Sequence, residues 1–259
     1  MSFTFKNIPT APYGDELFPK SELKIHDQVT IVSGPNGYGK STLISMLKES
    51  LKKDKAVEFD IHNPNQISKQ SFFYNNDDQP DNELGFIHYN IHQNSHANNI
   101  QSVAFHHNYE SMALKMSLSE GQNQLMTMSD IFDAATFVAR KKSKLKTLVI
   151  LIDGIDSGLS VDMIQFMMST LDTKINQILK ENSDINLYLI MTTNNYEMVK
   201  NRPVLNPKTF ETKSYQSYEE YIDDMQNQSC LHKWTTTTFV LLRGHDFLRR
   251  TYSFTLGLS

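Results

Sequence analysis

The sequence predicts an α/β fold around a sheet with substantial parallel pairing, and three observations predict it. Short apolar runs alternate with helix-periodic segments along most of the 259 residues, as strands joined by crossover helices do. A glycine-rich stretch, "GPNGYGKS" (34–41), lies where a strand pattern gives way to a helix pattern. An uninterrupted apolar run, "TLVILID" (147–153), ends on an acid, the pattern of a strand buried on both faces.

The elements follow in order. "FTFKNI" (3–8) and "LKIHDQVTIVSG" (23–34) alternate or run apolar as strands, with turn-rich "PTAPYGDELFPK" between them. Beyond Gly39, Leu43, Met46, Leu47 and Leu51 recur at helical spacing. "SFFYNN" (71–76) reads as a strand, and "NNDDQPDNE" behind it as a polar loop. Residues 84–116, rich in His, Asn and Gln, give no clear pattern. A long helix starts near Ser119, with Leu125, Met128, Ile131, Phe132 and Ala135 on one face. Strand 147–153, helix 160–182 and buried strand "NLYLIMTT" (186–193) come next. The tail contains strand-like "KTFETKS" (208–214), helical "YEEYIDDMQ" (218–226) and β-prone "TTTTFVLLRG" (235–244).

Bulk composition narrows the function. At 39% hydrophobic and 21% charged residues the chain is ordinary globular material. A net charge of −4 carries no whole-chain footprint for nucleic acid. The single cysteine, Cys230, excludes an internal disulfide framework and fits a reducing compartment. No apolar run approaches the ~18 residues of a membrane span, and "MSFTFKNIPTAPYG" lacks the pattern of a signal peptide. A cytoplasmic location is the expectation, with a membrane partner unlikely.

"GPNGYGKS" satisfies G-x-x-x-x-G-K-[ST] between a strand and a helix. Gly34, Gly37 and Gly39 permit backbone that turns N–H groups onto phosphate oxygens. The cradle runs through Pro35, Asn36 and Tyr38 to Lys40, Ser41 and Thr42. Lys40 is placed for the β- and γ-phosphates and Ser41 for Mg²⁺. Asp153, at the end of a buried strand, supplies an outer-sphere or water-mediated ligand for the same ion. The expected ligands are ATP and Mg²⁺.

Between these halves lies "LSEGQ" (118–122), which resembles the signature of the ATP-binding-cassette (ABC) superfamily; "GPNGYGKST" is similar to its P-loop, and "DSGLS" (156–160) to its D-loop. The resemblance covers roughly residues 1–200. It implies a P-loop NTPase fold of ABC type: a mixed central sheet, an antiparallel β subdomain and a helical signature portion. It further implies that Ser119, Gly121 and Gln122 meet the γ-phosphate of an ATP held by another subunit. Two chains would then sandwich two ATP molecules in a homodimer. The cap alternative stands beside it, with Ser119 bonding the first turn of its own helix. Residues 1–206 form the ABC-type ATPase domain on this reading, and 207–259 complete it or form a docking appendage.

The sequence departs from the hydrolytic pattern at Gly154, where the resemblance implies a general-base glutamate, and at Asn194, where it implies a γ-phosphate-sensing histidine. Asp156 and Asn194 are the remaining candidate catalytic residues, with the turn expected to direct Asp156 towards a partner chain. Gln79 or Gln93 would serve the Q-loop, and Tyr13 or Phe18 the adenine ring. His88, His92 and His96 share a face and raise a metal site, while "RKKSKLK" (140–146) raises nucleic acid or an acidic partner. The expected function is a slow ATPase acting as an ATP-gated switch for an effector in genome maintenance or phage defence. A transporter motor subunit and a non-hydrolysing scaffold are the alternatives.

Overall fold

The computed structural model describes residues 2–12, 14, 17–61, 64, 83–91 and 118–228. Its centre is a seven-stranded sheet in the order β4-β5-β6-β7-β3-β8-β9. The strands are β3 (Val29–Ser33), β4 (Val57–Phe59), β5 (Leu84–Asn90), β6 (Thr147–Asp153), β7 (Asn186–Thr193), β8 (Val204–Leu205) and β9 (Thr212–Lys213). Every pairing is parallel except β8 with β9. A separate antiparallel pair joins β1 (Phe3–Phe5) to β2 (Leu23–Ile25).

The run from Leu23 to Gly34 is therefore two strands in two sheets, not one. The polar triplet His26–Gln28 makes the break, bending the chain out of the small sheet and into the large one. "KTFETKS" contributes only the two-residue edge strand β9. Residues 84–90, which show no clear pattern in the sequence, form an interior strand. The expected strands at 71–76 and 235–244 lie outside the described residues.

The helices are α1 (Lys40–Lys53), α2 (Glu120–Lys141), α3 (Val161–Glu181), the single turn α4 (Tyr196–Val199) and α5 (Tyr218–Gln228). Alternation along β6 sorts its side chains to two sides of the sheet. Val149 and Leu151 join a core with Leu43, Leu47 and Leu51 of α1 and Phe5 and Ile25 of the small sheet. Leu148, Ile150 and Ile152 face the opposite core, with Met128, Ile131 and Ala135 of α2, Ile164 and Leu171 of α3, and Tyr221 of α5. Each fully buried Leu or Ile there is worth about 1.5–3 kcal/mol relative to exposure, so β6 is anchored from both sides. Residues 207–228 belong to this same body, through β9 in the sheet and Tyr215 and Tyr221 in the core.

Parallel pairing brings the carboxyl ends of β3, β5, β6 and β7 to one edge, where open α/β sheets gather ligand-binding groups. Register sets the neighbours there. Asn90 lies opposite Asp153, and Ser33 opposite Thr193.

Candidate nucleotide site

The loop after β3 turns on Gly37 and Gly39, whose φ values of 76° and 96° are left-handed and favour glycine. Gly39 is the N-cap of α1, makes no side-chain cap hydrogen bond, and precedes a first turn without acidic residues. The amino end of a 14-residue helix thus keeps its positive partial charge uncompensated by a capping side chain, which suits an anion.

Lys40 curls over this loop, its Nζ donating to the carbonyls of Gly34 (2.7 Å) and Pro35 (3.0 Å). Burial pulls its pKa below the usual lysine value, and the carboxylates of Asp156 and Asp153 offset part of that. The Tyr38 ring folds back on Gly34, where a Cβ would lie 2.7 Å from its Cδ1. Lys208 places its ammonium 4.5 Å from the centroid of that ring.

Asp153 is the hub of the edge. It is 2% exposed and its Oδ1 accepts from Ser41 Oγ at 3.1 Å and from Thr192 Oγ1 at 2.6 Å. Its Oδ2 accepts from Asn90 Nδ2 at 2.9 Å. β7 lies between the P-loop strand and β6, which is why Thr192 reaches Asp153 and its hydroxyl also accepts from Gly154 N–H at 2.9 Å. The donor set fits Mg²⁺: a serine hydroxyl and a carboxylate oxygen in contact beside the phosphate loop are hard oxygen ligands, and this ion normally takes one or two carboxylates plus phosphates.

Asp156 does not point outward. Its Oδ2 accepts from Thr193 Oγ1 at 2.7 Å and Asn194 N–H at 3.0 Å, which ties the turn after β6 to the end of β7. Asn194 in turn donates from Nδ2 to Asn36 Oδ1 of the P-loop at 2.9 Å. The P-loop, Asp153, Asp156 and Asn194 therefore converge, and Asn90, Thr192 and Tyr221 join them without having been singled out in the sequence.

Gly154 has φ 78°, and a Cβ there would lie 2.7 Å from Ile91 Cγ2. The position lacks a carboxylate and is also shaped against one.

The "LSEGQ" residues have structural work of their own. Ser119 caps α2, accepting from Gln122 N–H, while the Gln122 side chain accepts from Ser119 N–H in a capping box. A Cβ on Gly121 would meet the Gly158 carbonyl oxygen at 2.8 Å, because the helix start rests on the turn after β6. The backbone oxygen cannot step aside, so Gly121→Ala is expected to cost about 1–3 kcal/mol; denaturant unfolding measures it, and an unchanged midpoint would refute the packing account.

Phe18 is 1% exposed and stacked on Phe210 at 5.8 Å between centroids. It belongs to the core cluster with Phe5 and Leu23, so of the two readings open for it, adenine contact or core packing, the structure favours packing. Tyr13, Gln79, Gln93, His92, His96 and Cys230 lie outside the described residues. His88 directs Nδ1 to Lys48 Nζ at 3.2 Å, and burial with the charges of Lys48 and Lys52 lowers its pKa to about 4. Among the described residues no group of three or more His, Cys, Asp or Glu side chains could hold a metal ion. In the basic connection, Arg140 pairs with Glu181 and Lys146 with Glu83. No described helix is long and apolar enough to cross a membrane.

The family model described as Nephrocystin 3, N-terminal, matches residues 20–194. No curated protein matches the chain. The matched stretch begins ahead of β2 and ends on Asn194, so it contains the P-loop, Asp153, Asp156 and the asparagine that bridges to Asn36. On that match over more than half its length, the chain belongs to the nephrocystin 3 N-terminal family, a P-loop NTPase-like family.

Proposed function

We propose that this chain binds Mg-ATP and acts as an ATP-gated switch with slow turnover. The observation that supports it best is the hydrogen-bonded hub at Asp153, where Ser41 of the P-loop helix and Thr192 of β7 meet one buried carboxylate oxygen. Lys40 and the uncapped start of α1 would hold the β- and γ-phosphates, and Ser41 and Asp153 the ion. Bound Mg²⁺ supplies charge neutralisation across the phosphates.

Gly154 offers no base, and both donors to Asp156 fall on its Oδ2 and tie that carboxylate to β7. General-base help typically adds 10²–10⁴-fold, so turnover of roughly 10⁻¹ to 10⁻³ per second is expected against a median enzyme near 10 per second.

Assembly is part of the proposal. Ser119 and Gln122 are exposed at the start of α2, which rests on the turn after β6 that contains exposed Gly158. Val161, at the start of α3, and Phe166 further along it are 54% and 60% exposed. An ABC-type homodimer closing here around ATP would cover those side chains and present one face to an effector in genome maintenance or phage defence.

Solution mass with and without Mg-ATP, with phosphate release followed in the same samples, tests both halves. A nucleotide-dependent dimer with slow release is the expected result. A monomer that binds ATP would remove the sandwich and leave the site. Brisk release would remove the slow switch.

A further inference from the structure

Tyr221, on α5, is 2% exposed and belongs to none of the nucleotide-site motifs. Its hydroxyl donates to the backbone carbonyl of Asn194 at 2.9 Å, which leaves its oxygen to accept from Ser33 Oγ at 3.1 Å. Ser33 is the last residue of the P-loop strand, and its one hydroxyl proton is shared between Tyr221 Oη and the Thr193 carbonyl at 3.2 Å. One phenol therefore stitches together the ends of β3 and β7 immediately before both chains enter the site.

Asn194 is held on three sides. Tyr221 takes its carbonyl, Asp156 accepts its N–H, and its own side chain reaches Asn36. The Tyr221 ring is itself fixed by Tyr196 and Tyr215, at centroid separations of 5.6 and 5.2 Å, and Tyr215 donates to Asp224 Oδ2 at 2.5 Å. A tyrosine is already protonated at neutral pH, and burial moves the Tyr221 pKa further up, so the phenol stands as a donor.

We infer that Tyr221 is a positioning residue of the nucleotide site, holding Asn194 so that its amide meets the γ-phosphate of ATP. The inference rests on the Mg-ATP reading above. A buried tyrosine is ordinarily core packing with a satisfied hydroxyl. What separates this one is where its bonds end: on the residue before the P-loop and on the residue that reaches into it.

The ratio of ATP to ADP affinity distinguishes the two roles, because a loosened core weakens both nucleotides alike while a displaced Asn194 weakens ATP alone. Kd values for Mg-ATP and Mg-ADP are measured on the full chain as wild type, Tyr221→Phe, Asn194→Ala and the double variant, with thermal unfolding alongside. Tyr221→Phe keeps the ring packing and removes only the hydroxyl. Loss of one hydrogen bond is worth roughly 2- to 10-fold, so the ATP/ADP ratio is expected to fall by about that factor in each single variant. The double variant should fall no further than Asn194→Ala. An unchanged ratio in Tyr221→Phe, with or without a lower melting temperature, overturns the inference and leaves the site intact. Independent, multiplying losses overturn it too, since Tyr221 would not then act through Asn194. A wild-type chain that binds neither nucleotide overturns the Mg-ATP reading and this inference with it.

Discussion

Asp153→Asn will remove the Mg²⁺ dependence of ATP binding. Wild type should bind ATP more tightly with Mg²⁺ than with a chelator, and the variant should bind equally in both. The substitution is nearly isosteric, so the effect comes from charge and hydrogen-bond direction. Ser41 and Thr192 donate to one oxygen of Asp153 and Asn90 to the other. An amide must present its NH₂ group to one of those sides, where a donor already stands. Disturbing groups that orient a metal site typically costs 10–100-fold in metal affinity, and the same factor is expected in the Mg²⁺-dependent gain. Leaving one buried donor unsatisfied costs a further about 1–3 kcal/mol of stability, readable by denaturant unfolding. If the variant kept the full Mg²⁺ effect, Asp153 would be a strand-end aspartate with a structural role, and the reading of the hub would fall.

The halves of this site differ in how far the sequence exposes them. The P-loop is legible because its chemistry is local: glycines, lysine and serine are neighbours in the chain and lie between a strand and a helix. β6, β7 and α3 are legible because nothing interrupts their apolar pattern. β5 is interior in the sheet yet gives no clear pattern in the sequence, for reasons particular to its residues. Gly85 has Phe59 where its Cβ would be, at 2.5 Å from Cε2; His88 faces Lys48; and Asn90 is bonded to Asp153. Each departs from the apolar run of a buried strand to serve a contact made elsewhere in the chain. Asn90, Thr192 and Tyr221 come from three elements that only the sheet order brings together, so no spacing rule finds them. Thr192 left the clearest trace, as a polar residue at the end of the apolar run "LYLIM". The "LSEGQ" stretch shows the converse. Its serine and glutamine close a capping box and its glycine fits against Gly158, so local helix chemistry accounts for the same letters that suggest a phosphate contact.

Gly154→Glu, which places a carboxylate where the ABC resemblance implies a general base, is expected to destabilise the protein without raising phosphate release. The backbone at Gly154 has φ 78°, a left-handed conformation that costs other residues about 1–2 kcal/mol. A Cβ would also press on Ile91 Cγ2 at 2.7 Å, and forced shifts in packed surroundings add about 1–3 kcal/mol. Together these consume a large share of the roughly 5–15 kcal/mol that holds a domain folded. Gly154→Ala separates these steric costs from the effect of the carboxylate, because it carries the strain and the clash without the charge. Both variants should lose stability by similar amounts in denaturant unfolding, and a double-mutant cycle of Gly154→Ala with Ile91→Ala, itself a costly truncation of a core residue, should show a favourable coupling equal to the part due to the clash. The turn is also fixed from behind, since Gly154 N–H donates to Thr192 Oγ1 and the Asp156 carboxylate is bonded to Thr193 and Asn194. A carboxylate introduced at position 154 must therefore leave from the backbone direction that this turn dictates. Release rising by 10² or more in G154E would show the opposite: that the site is built for hydrolysis and lacks one side chain. Unchanged release with lowered stability would support the proposed slow turnover and place its cause in the backbone of the turn as well as in its sequence.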